Sequence, residues 1–285
     1  MTSTSTKVWT ILDIINWGKD YLSKNGISNA KLELEWFLSN LLNCNRIDLY
    51  VRFEEPLNPN ELDKIRDFIK RRKTHEPFQY ILGTAPFYGR DFIVNKNVLI
   101  PRPETETIIE IANKIKQNGR FLEIGTGNGC IAVTLLKENI FQSGIAVDIS
   151  EKAIEIAQQN KTKFEADQLV LSQIDFLKQP INQKFDCIIS NPPYISTEEM
   201  KSLEDVVIKF EPKIALTDNS DGLSFYRKIA TKGRNLLHPN GVMILETGGE
   251  QQIPIIEKIF INQNYSVQIH KDQNNENRIL EVHLN

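Results

Sequence analysis

Five short apolar segments alternate with amphipathic helical segments over the larger, C-terminal part of this 285-residue chain. The apolar segments are 120–124, 144–148, 168–172, 185–190 and 241–246. Strands that alternate with helices form a parallel sheet with helices on both faces. Two more candidate strands, 266–271 and 279–284, follow the last helix with a short connection, which requires antiparallel pairing at that edge. The sequence therefore predicts an α/β fold whose sheet is mostly parallel.

The first part of the chain has a different periodicity. From Thr6 to about Ile81 the apolar residues recur at helical spacing, which predicts a small helical bundle. Residues 87–100 indicate two short strands on either side of 95–97. We therefore expect a helical domain at 1–84 and an α/β domain at 85–285, with a hairpin-like linker over 85–100.

Composition limits the kinds of function that fit the chain. The formal charge of −3 argues against a protein whose affinity comes mainly from neutralising phosphates. The three cysteines have neither disulfide nor zinc spacing, so we expect no metal site. The N-terminus lacks a signal-peptide pattern, and no stretch of about 18 apolar residues occurs, so we expect a cytoplasmic protein without a membrane anchor. The basic run Lys70–Lys73 fits either a solvated helix end or a contact with RNA or an acidic partner.

A glycine-rich turn follows the first strand of the predicted sheet. Its residues are Gly125-Thr126-Gly127-Asn128-Gly129. Glycines at the carboxyl end of a parallel strand let the backbone approach a bound cofactor, although glycines also simply end strands. Asp148 ends the second strand about 20 residues later, where an acid binds adenosine ribose in doubly wound sheets. Asp148 could instead cap the next helix, but Ser150 can do so itself.

The cofactor predicted from these residues is a cationic nucleoside. The turn lacks the GxGxxG spacing of a dinucleotide site. Carboxylates at Glu123, Asp148 and Asp175 would repel a pyrophosphate but suit a sulfonium and an amino group. S-adenosylmethionine is the natural candidate. Phe176 could lie against its adenine, or could belong to the core.

The fourth strand runs directly into Asn191-Pro192-Pro193-Tyr194. Two prolines stiffen this loop and leave its carbonyl groups without local N–H partners. The Asn191 side-chain oxygen and the Pro192 carbonyl can accept the two protons of a planar –NH₂ group, and Tyr194 can pack on its face. The alternative is a simple Pro-Pro turn. We expect a site that positions an amide or amine nitrogen for methyl transfer.

Several motifs resemble the HemK/PrmC family of release factor glutamine methyltransferases. The matching segments are EIGTGNG, VDIS, IDF, SNPPYI, PFQYILG (77–83) and LIPRPETE (99–106). The resemblance implies a class I S-adenosylmethionine-dependent methyltransferase fold, with a seven-stranded mostly parallel sheet and a small N-terminal helical domain that recognises the substrate. It also implies methylation of the side-chain amide of the glutamine in the Gly-Gly-Gln motif of peptide chain release factors.

The resemblance assigns roles by position. Residues implied to bind S-adenosylmethionine are Gly125, Thr126, Gly127, Asn128, Gly129, Asp148, Phe176 and Asn191. Residues implied to bind the glutamine are Asn191, Pro192, Pro193 and Tyr194, with Asn191 and Pro192 at the reacting nitrogen. The family often has tryptophan where Phe176 stands, and near its C-terminus an Asp, a Gly and an Arg where this chain has Asp272, Asn275 and Arg278. In the 99–106 segment, Arg102, Pro103 and Glu106 either contact the site or only start a helix.

Two other functions share parts of this pattern. NPPY also occurs in methyltransferases that act on adenine or guanine amino groups of DNA or RNA. These enzymes need a basic groove, and the acidic chain offers none outside 70–73, so we expect no stable nucleic-acid binding. A non-catalytic adaptor would show a damaged cofactor turn or acceptor loop, and both are intact.

Overall fold

The computed structural model describes residues 7–115 and 119–285. They form two compact units, one on each side of the bond between Leu82 and Gly83. Among the described residues, no helix is both long and apolar enough to cross a bilayer.

The N-terminal unit consists of helices. They are α1 (Ile11–Lys24), α2 (Ala30–Leu41), α3 (Arg46–Val51), α4 (Pro59–Arg72) and α5 (Phe78–Leu82). Capping boxes start α1 and α4, among others: Thr10 exchanges hydrogen bonds with Asp13 before α1, and Asn58 does so with Glu61 before α4. Such reciprocal bonds satisfy N–H groups that the first helical turn leaves free. The helical prediction for this part of the chain is therefore correct.

The apolar faces of these helices meet in one core. Leu22, Leu34, Leu38 and Phe68 are fully buried there. The basic run at the end of α4 is partly neutralised within the unit, because Arg71 pairs with Glu76 and Arg72 with Glu33. These two arginines therefore form ion pairs with residues outside α4, in addition to placing positive charge at the end of the helix.

The second unit begins with a hairpin of β1 (Thr84–Phe87) and β2 (Arg90–Ile93). Its turn is Tyr88-Gly89, both with positive φ, as tight hairpins require. The prediction that the turn lies at 95–97 was wrong. The two-residue loop at 88–89 already closes the hairpin, and the chain after Ile93 forms no strand until residue 120 among the described residues.

The described residues of this unit form a seven-stranded sheet. Its strands are β3 (Arg120–Ile124), β4 (Ser143–Asp148), β5 (Leu169–Gln173), β6 (Phe185–Ser190), β7 (Leu237–Glu246), β8 (Tyr265–Lys271) and β9 (Asn277–Leu284). Their order is β5-β4-β3-β6-β7-β9-β8, parallel through β7 and antiparallel for the last two pairings. The α/β prediction is confirmed, including the antiparallel edge. Strand β7 starts earlier than predicted and has a register shift against β6.

Helices cover both faces of the sheet. The helices of this unit are α6 (Glu106–Ile115), α7 (Cys130–Lys137), α8 (Glu151–Lys163), α9 (Asp205–Phe210), α10 (Lys213–Leu216), α11 (Ser224–Leu236) and α12 (Ile253–Ile261). Of these, α6 and α7 pack on one face of the sheet, and α11 and α12 pack on the other. Successive residues of β3 point to opposite faces: Phe121 joins the core under α6 and α7, and Leu122 joins the core under α11 and α12. The connection after β3 leads to β4 on one side, and the connection after the neighbouring β6 leads to β7 on the other side. This reversal opens a crevice at the carboxyl ends of β3 and β6.

Gly144 tests how tightly this core is packed. A Cβ at position 144 would lie 2.1 Å from the Phe121 ring, which is fully buried. We expect Gly144→Ala to lower the free energy of unfolding by about 1–3 kcal/mol, because the ring has no room to move. Urea unfolding measures this. In a Phe121→Leu background the added Cβ should cost less, and an equal cost in both backgrounds would contradict the contact.

Candidate active site

The glycine turn after β3 folds back toward β4. The N–H groups of Gly125 and Thr126 both donate to the Val147 carbonyl, at 2.8 and 3.0 Å. Gly127 has φ 56° and Gly129 has φ 81°, a region in which a Cβ is strained. At Gly127 a Cβ would meet nothing within 4 Å. The turn therefore presents backbone without side chains to the space beside it.

Asp148 holds this turn in place. Its Oδ2 accepts from the Gly127 N–H at 2.9 Å, and its Oδ1 accepts from the Ser150 N–H at 2.9 Å. Ser150 itself caps α8 by accepting from the Ala153 N–H, as predicted. The Ile149 N–H also interacts with the Asp148 carboxylate, which has about four lone-pair sites and so can accept from a further donor. Burial raises the pKa of Asp148.

Glu123 lies beneath the turn and is 1% exposed. Its Oε2 accepts from the Thr126 hydroxyl at 2.6 Å, and its Oε1 has no partner among the described residues. Burial is the main reason that the pKa of Glu123 is raised to about 8; the Thr126 hydrogen bond opposes this increase, and the nearby Asp148 charge adds to it. A protonated Glu123 therefore supports the turn from inside at neutral pH.

A cavity of about 270 Å³ lies at the carboxyl ends of the parallel strands. Its lining is mostly apolar and includes, among the predicted residues, Gly125, Gly127, Asp148, Phe176, Asn191 and Pro193. Phe176 is also part of the core beneath α11, and its contact with adenine stays a prediction. Asp175 lines the cavity too, with Lys178 at 3.0 Å. The structure thus brings the ends of β3, β4, β5 and β6 together around one space.

Other predicted residues lie outside this lining. Thr126 and Asn128 are buried, and their side chains brace the turn: Thr126 donates to Glu123, and Asn128 Oδ1 accepts from the Cys130 N–H. Gly129 packs against α8, where a Cβ would lie 3.2 Å from the Ala157 Cβ. Direct cofactor contacts of these three residues stay predictions.

The acceptor loop begins beside the turn. The Asn191 Nδ2 donates to the Thr105 hydroxyl at 3.2 Å, and among the described residues the Asn191 Oδ1 has no protein partner. No described donor reaches the Pro192 carbonyl. The Tyr194 carbonyl accepts from Gln252 Nε2 at 2.6 Å, and burial raises the pKa of the Tyr194 hydroxyl. Two free acceptor oxygens therefore lie at the start of the loop, as the sequence predicts.

The 99–106 segment contacts the site through a residue that we did not predict. Arg102 pairs with Glu211 at 2.6 Å, and Glu106 accepts from the Tyr88 N–H at 2.8 Å. Neither contact involves the acceptor loop, whereas Thr105 hydrogen-bonds Asn191. A threonine in a helix start is so common that no pattern in the sequence singles it out.

The C-terminal turn keeps its shape although this chain has asparagine there. Asn275 has φ 65°, the left-handed conformation that asparagine tolerates. Asp272 Oδ1 accepts from two backbone N–H groups of the turn, those of Asn274 and Glu276, and its other oxygen lies 3.5 Å from Arg278.

The groups that line the cavity fit S-adenosylmethionine. The backbone at Gly125 and Gly127 leaves room for a ligand, Asp148 has lone pairs for ribose hydroxyls, and Phe176 offers an apolar surface. The described residues contain no cluster of three metal-ligating side chains. The fold and this site define a methyltransferase.

Comparison with known proteins gives the family. The sequence-family model of the PrmC N-terminal domain matches residues 13–83, and that of a methyltransferase domain matches residues 115–283. A release factor glutamine methyltransferase of Geobacter sulfurreducens is 42% identical over 85% of both chains, and one of Bacillus subtilis is 35% identical over 95% of this chain and 96% of its own. The chain belongs to the family of release factor glutamine methyltransferases.

Two further relatives differ in extent. A bifunctional methyltransferase of Rickettsia prowazekii is 36% identical over 96% of this chain, but the chain spans only 57% of that protein. A crystal structure of a methyltransferase from Pyrococcus furiosus has a TM-score of 0.53 and 20% identity, covering 79% of this chain and 98% of its own. That likeness confirms the class I methyltransferase fold.

The buried Glu123 predicts how stability depends on pH. Between the ordinary pKa of 4.5 and about 8, the unfolded chain releases this proton and the folded chain keeps it. Stability should therefore fall as pH rises through this range, by up to about 1.4 kcal/mol per pH unit. We expect Glu123→Gln to melt at a higher temperature than the wild type at pH 9 and at nearly the same temperature at pH 4, by calorimetry without cofactor.

Glu155 provides the control for this experiment because it is exposed on α8. Glu155→Gln should follow the wild type at both pH values. A Glu123→Gln protein that gains no stability at pH 9 would show that folding does not raise the pKa of Glu123.

Proposed function

We propose that this protein transfers the methyl group of S-adenosylmethionine to the side-chain amide nitrogen of the glutamine in the Gly-Gly-Gln motif of peptide chain release factors. Two of the relatives, which match 85% and 95% of the chain, are named release factor glutamine methyltransferases. The observation that carries the proposal is a pair of free acceptor oxygens on neighbouring residues, Asn191 Oδ1 and the Pro192 carbonyl, with Asn191 lining the cavity that fits the cofactor.

These two oxygens match the chemistry of a carboxamide. An amide –NH₂ is planar and has two protons to donate, so two acceptors in one corner orient it and discriminate against a hydroxyl or a carboxylate. A hydroxyl has one proton, and a carboxylate would be repelled. The stiff Pro192–Pro193 backbone keeps the carbonyl in place while the substrate enters and leaves.

Positioning is the main contribution of the protein to the reaction. The bound cofactor supplies an electrophilic methyl group on a sulfonium. Holding an acceptor nitrogen in line with such a carbon is worth about 7–11 kcal/mol, whereas one hydrogen bond contributes about 1 kcal/mol net. Asn191 and Pro192 align the nitrogen, and Asp148 with the glycine turn aligns the other reactant. The methylated nitrogen loses a proton readily, so no general base is assigned.

The alternative substrate is an adenine or guanine amino group in DNA or RNA. The cavity lining carries three carboxylates, Asp148, Asp175 and Asp218, against one cation, Lys178. This charge balance does not suit a nucleic-acid backbone. We therefore propose no stable nucleic-acid binding, and with release factors as substrates we propose that the protein acts in the cytoplasm.

The helical unit is proposed to help recognise the release factor. The sequence analysis places this helical domain at residues 1–84 and the catalytic domain at residues 85–285. Cross-linking the full chain to a purified release factor, followed by peptide mapping, tests the assignment. Cross-links confined to residues after 85 would contradict it.

Methyl transfer from labelled S-adenosylmethionine tests the function directly. We expect label in purified release factor and none in a release factor whose acceptor glutamine is replaced by alanine. A duplex and a single-stranded oligonucleotide serve as competing acceptors. Label in an oligonucleotide, with none in release factor, would overturn the proposal in favour of the nucleic-acid alternative.

Asn191→Ala should impair turnover rather than cofactor binding. The lost acceptor faces the substrate amide, so we expect kcat to fall by about 100-fold. The Kd of S-adenosylhomocysteine, measured by calorimetry, should change by no more than about threefold, which is below 1 kcal/mol. Equal losses in turnover and cofactor affinity would place Asn191 at the cofactor instead.

Asp148→Ala should have the opposite effect. It removes the carboxylate that holds the Gly127 N–H and that we assign to the ribose. Losing charged hydrogen bonds of about 1.5–3 kcal/mol weakens the Kd of S-adenosylhomocysteine by about 10- to 100-fold. Asp167→Ala, which removes an exposed carboxylate before β5, is the charge-matched control. An unchanged Kd in the Asp148 variant would reject the ribose assignment.

A further inference from the structure

Asn191 can serve as an acceptor only in one of its two side-chain orientations. The two ends of a carboxamide have nearly the same size and shape, so packing alone does not distinguish them. With Oδ1 toward the cavity, Asn191 accepts a proton of the substrate amide. With Nδ2 toward the cavity, two N–H donors would face two N–H donors. Something in the protein must select the first orientation.

Thr105 is the group that contacts the other end of the Asn191 amide. Its hydroxyl accepts from Nδ2 at 3.2 Å, and the side chain is 3% exposed. Thr105 ends the short 3-10 turn Pro103–Thr105 that precedes α6, so it is held by the start of a helix. A hydroxyl can also donate, however, and a donating Thr105 would favour the wrong orientation of Asn191.

Glu246 removes this ambiguity. It ends β7, next to β6 in the sheet, and is 1% exposed. The register pairs Ser190 with Leu245, so Glu246 lies at the position beside Asn191, whose amide contacts Thr105. The Thr105 hydroxyl interacts with the Glu246 carboxyl group there and lowers its pKa. A carboxylate has no proton to donate, so it takes the proton of the Thr105 hydroxyl. Thr105 then has only lone pairs left for Asn191, which must offer Nδ2.

We propose that Thr105 and Glu246 are positioning residues that keep the Asn191 Oδ1 directed at the substrate amide. The proposal rests on the proposed function, because only an acceptor for N–H protons needs this orientation. It also explains a buried carboxyl group whose Oε2 has no hydrogen-bond partner among the described residues. A buried acid with so few hydrogen bonds costs stability, and a role in the site gives a reason for the protein to keep it.

The arrangement makes the orientation of Asn191 depend on the charge of Glu246. Burial raises the pKa of Glu246 to about 7, against the lowering by Thr105 and Arg278. A protonated Glu246 can donate to Thr105, which frees the Thr105 proton for Asn191 Oδ1 and reverses the amide. Turnover should therefore be highest above pH 7 and fall below it.

Several titratable or charged groups face Glu246 and enter the same pH dependence. They are Arg102 and Glu104 before α6, Cys130 on α7, Tyr194 in the acceptor loop, Tyr226 on α11 and Arg278 on β9. Burial raises the pKa of the Cys130 thiol and of the Tyr194 and Tyr226 hydroxyls. These three groups thus stay neutral where Glu246 changes charge.

Thr105→Val and Thr105→Ser form a matched pair that tests the role of the hydroxyl. Valine keeps the shape and removes the hydroxyl, while serine keeps the hydroxyl and removes a methyl group. We expect Thr105→Val to lower kcat by about 10- to 100-fold, because a misdirected amide misplaces the acceptor. Thr105→Ser should restore most of the activity. The Kd of S-adenosylhomocysteine should be the same for both variants and the wild type.

A purely structural role for Thr105 gives a different pattern. Loss of packing would impair the serine variant at least as much as the valine variant, since serine is the smaller side chain. That result, or a Thr105→Val enzyme with wild-type kcat, would overturn the proposal. If the valine variant does not fold by circular dichroism, Thr105→Ala against Thr105→Ser makes the same comparison.

Glu246→Gln tests the second positioning residue. A glutamine can accept from Thr105 or donate to it, and it does not titrate. We expect a lower kcat at pH 8 and no further fall between pH 8 and 6, whereas kcat of the wild type should fall about tenfold at pH 6, one unit below a pKa of about 7. Both proteins are assayed at saturating concentrations of both substrates. A Glu246→Gln protein that keeps the wild-type profile would overturn the role of Glu246.

These outcomes are separable from failure of the proposed function. If wild-type protein methylates no release factor, the function itself is wrong. If the wild type is active and Thr105→Val is equally active, only the positioning role is wrong.

Discussion

The parallel pairing of β3 between β4 and β6 is the constraint on which the rest of the site depends. It brings the glycine turn, Asp148 and the acceptor loop to one edge of the sheet, although long helical connections separate them in the chain. Asp148 then ties the turn to the end of β4 through the Gly127 N–H. Cofactor cavity and acceptor corner are thus built from strand ends, the most rigid part of such a fold.

The site works with hydrogen-bond direction more than with charge. Two buried carboxyl groups, Glu123 and Glu246, lie next to it, and burial raises the pKa of each into the neutral range. Neither lines the cavity. Glu123 supports the turn through Thr126, and Glu246 faces Thr105, which contacts Asn191. Buried acids of this kind cost stability. Their use in orienting a neutral amide is a physical reason for the protein to retain them.

Part of this site was predictable because it consists of local patterns. A strand, a glycine turn and a helix follow each other at 120–137, and Asn191 to Tyr194 follow a buried strand directly, so short-range sequence was enough to place them. The hairpin turn was misplaced because Asn95 and Asn97 look as much like turn residues as Tyr88-Gly89 does. The sequence predicts cofactor contacts at Thr126 and Asn128, which stay predictions, but not that their side chains turn inward, because spacing alone does not decide that direction.

The chain's own residue pattern determined the alternation of strands and helices, the glycine turn and the acceptor loop, since each depends on neighbours within a few residues. Only the tertiary structure decided that Thr105 hydrogen-bonds Asn191, 86 positions away in the chain, and that Glu246 interacts with Thr105. Periodicity shows which residues are buried, but not which of the many buried polar groups meet. That pairing follows from strand order and register, which arise when the whole sheet closes.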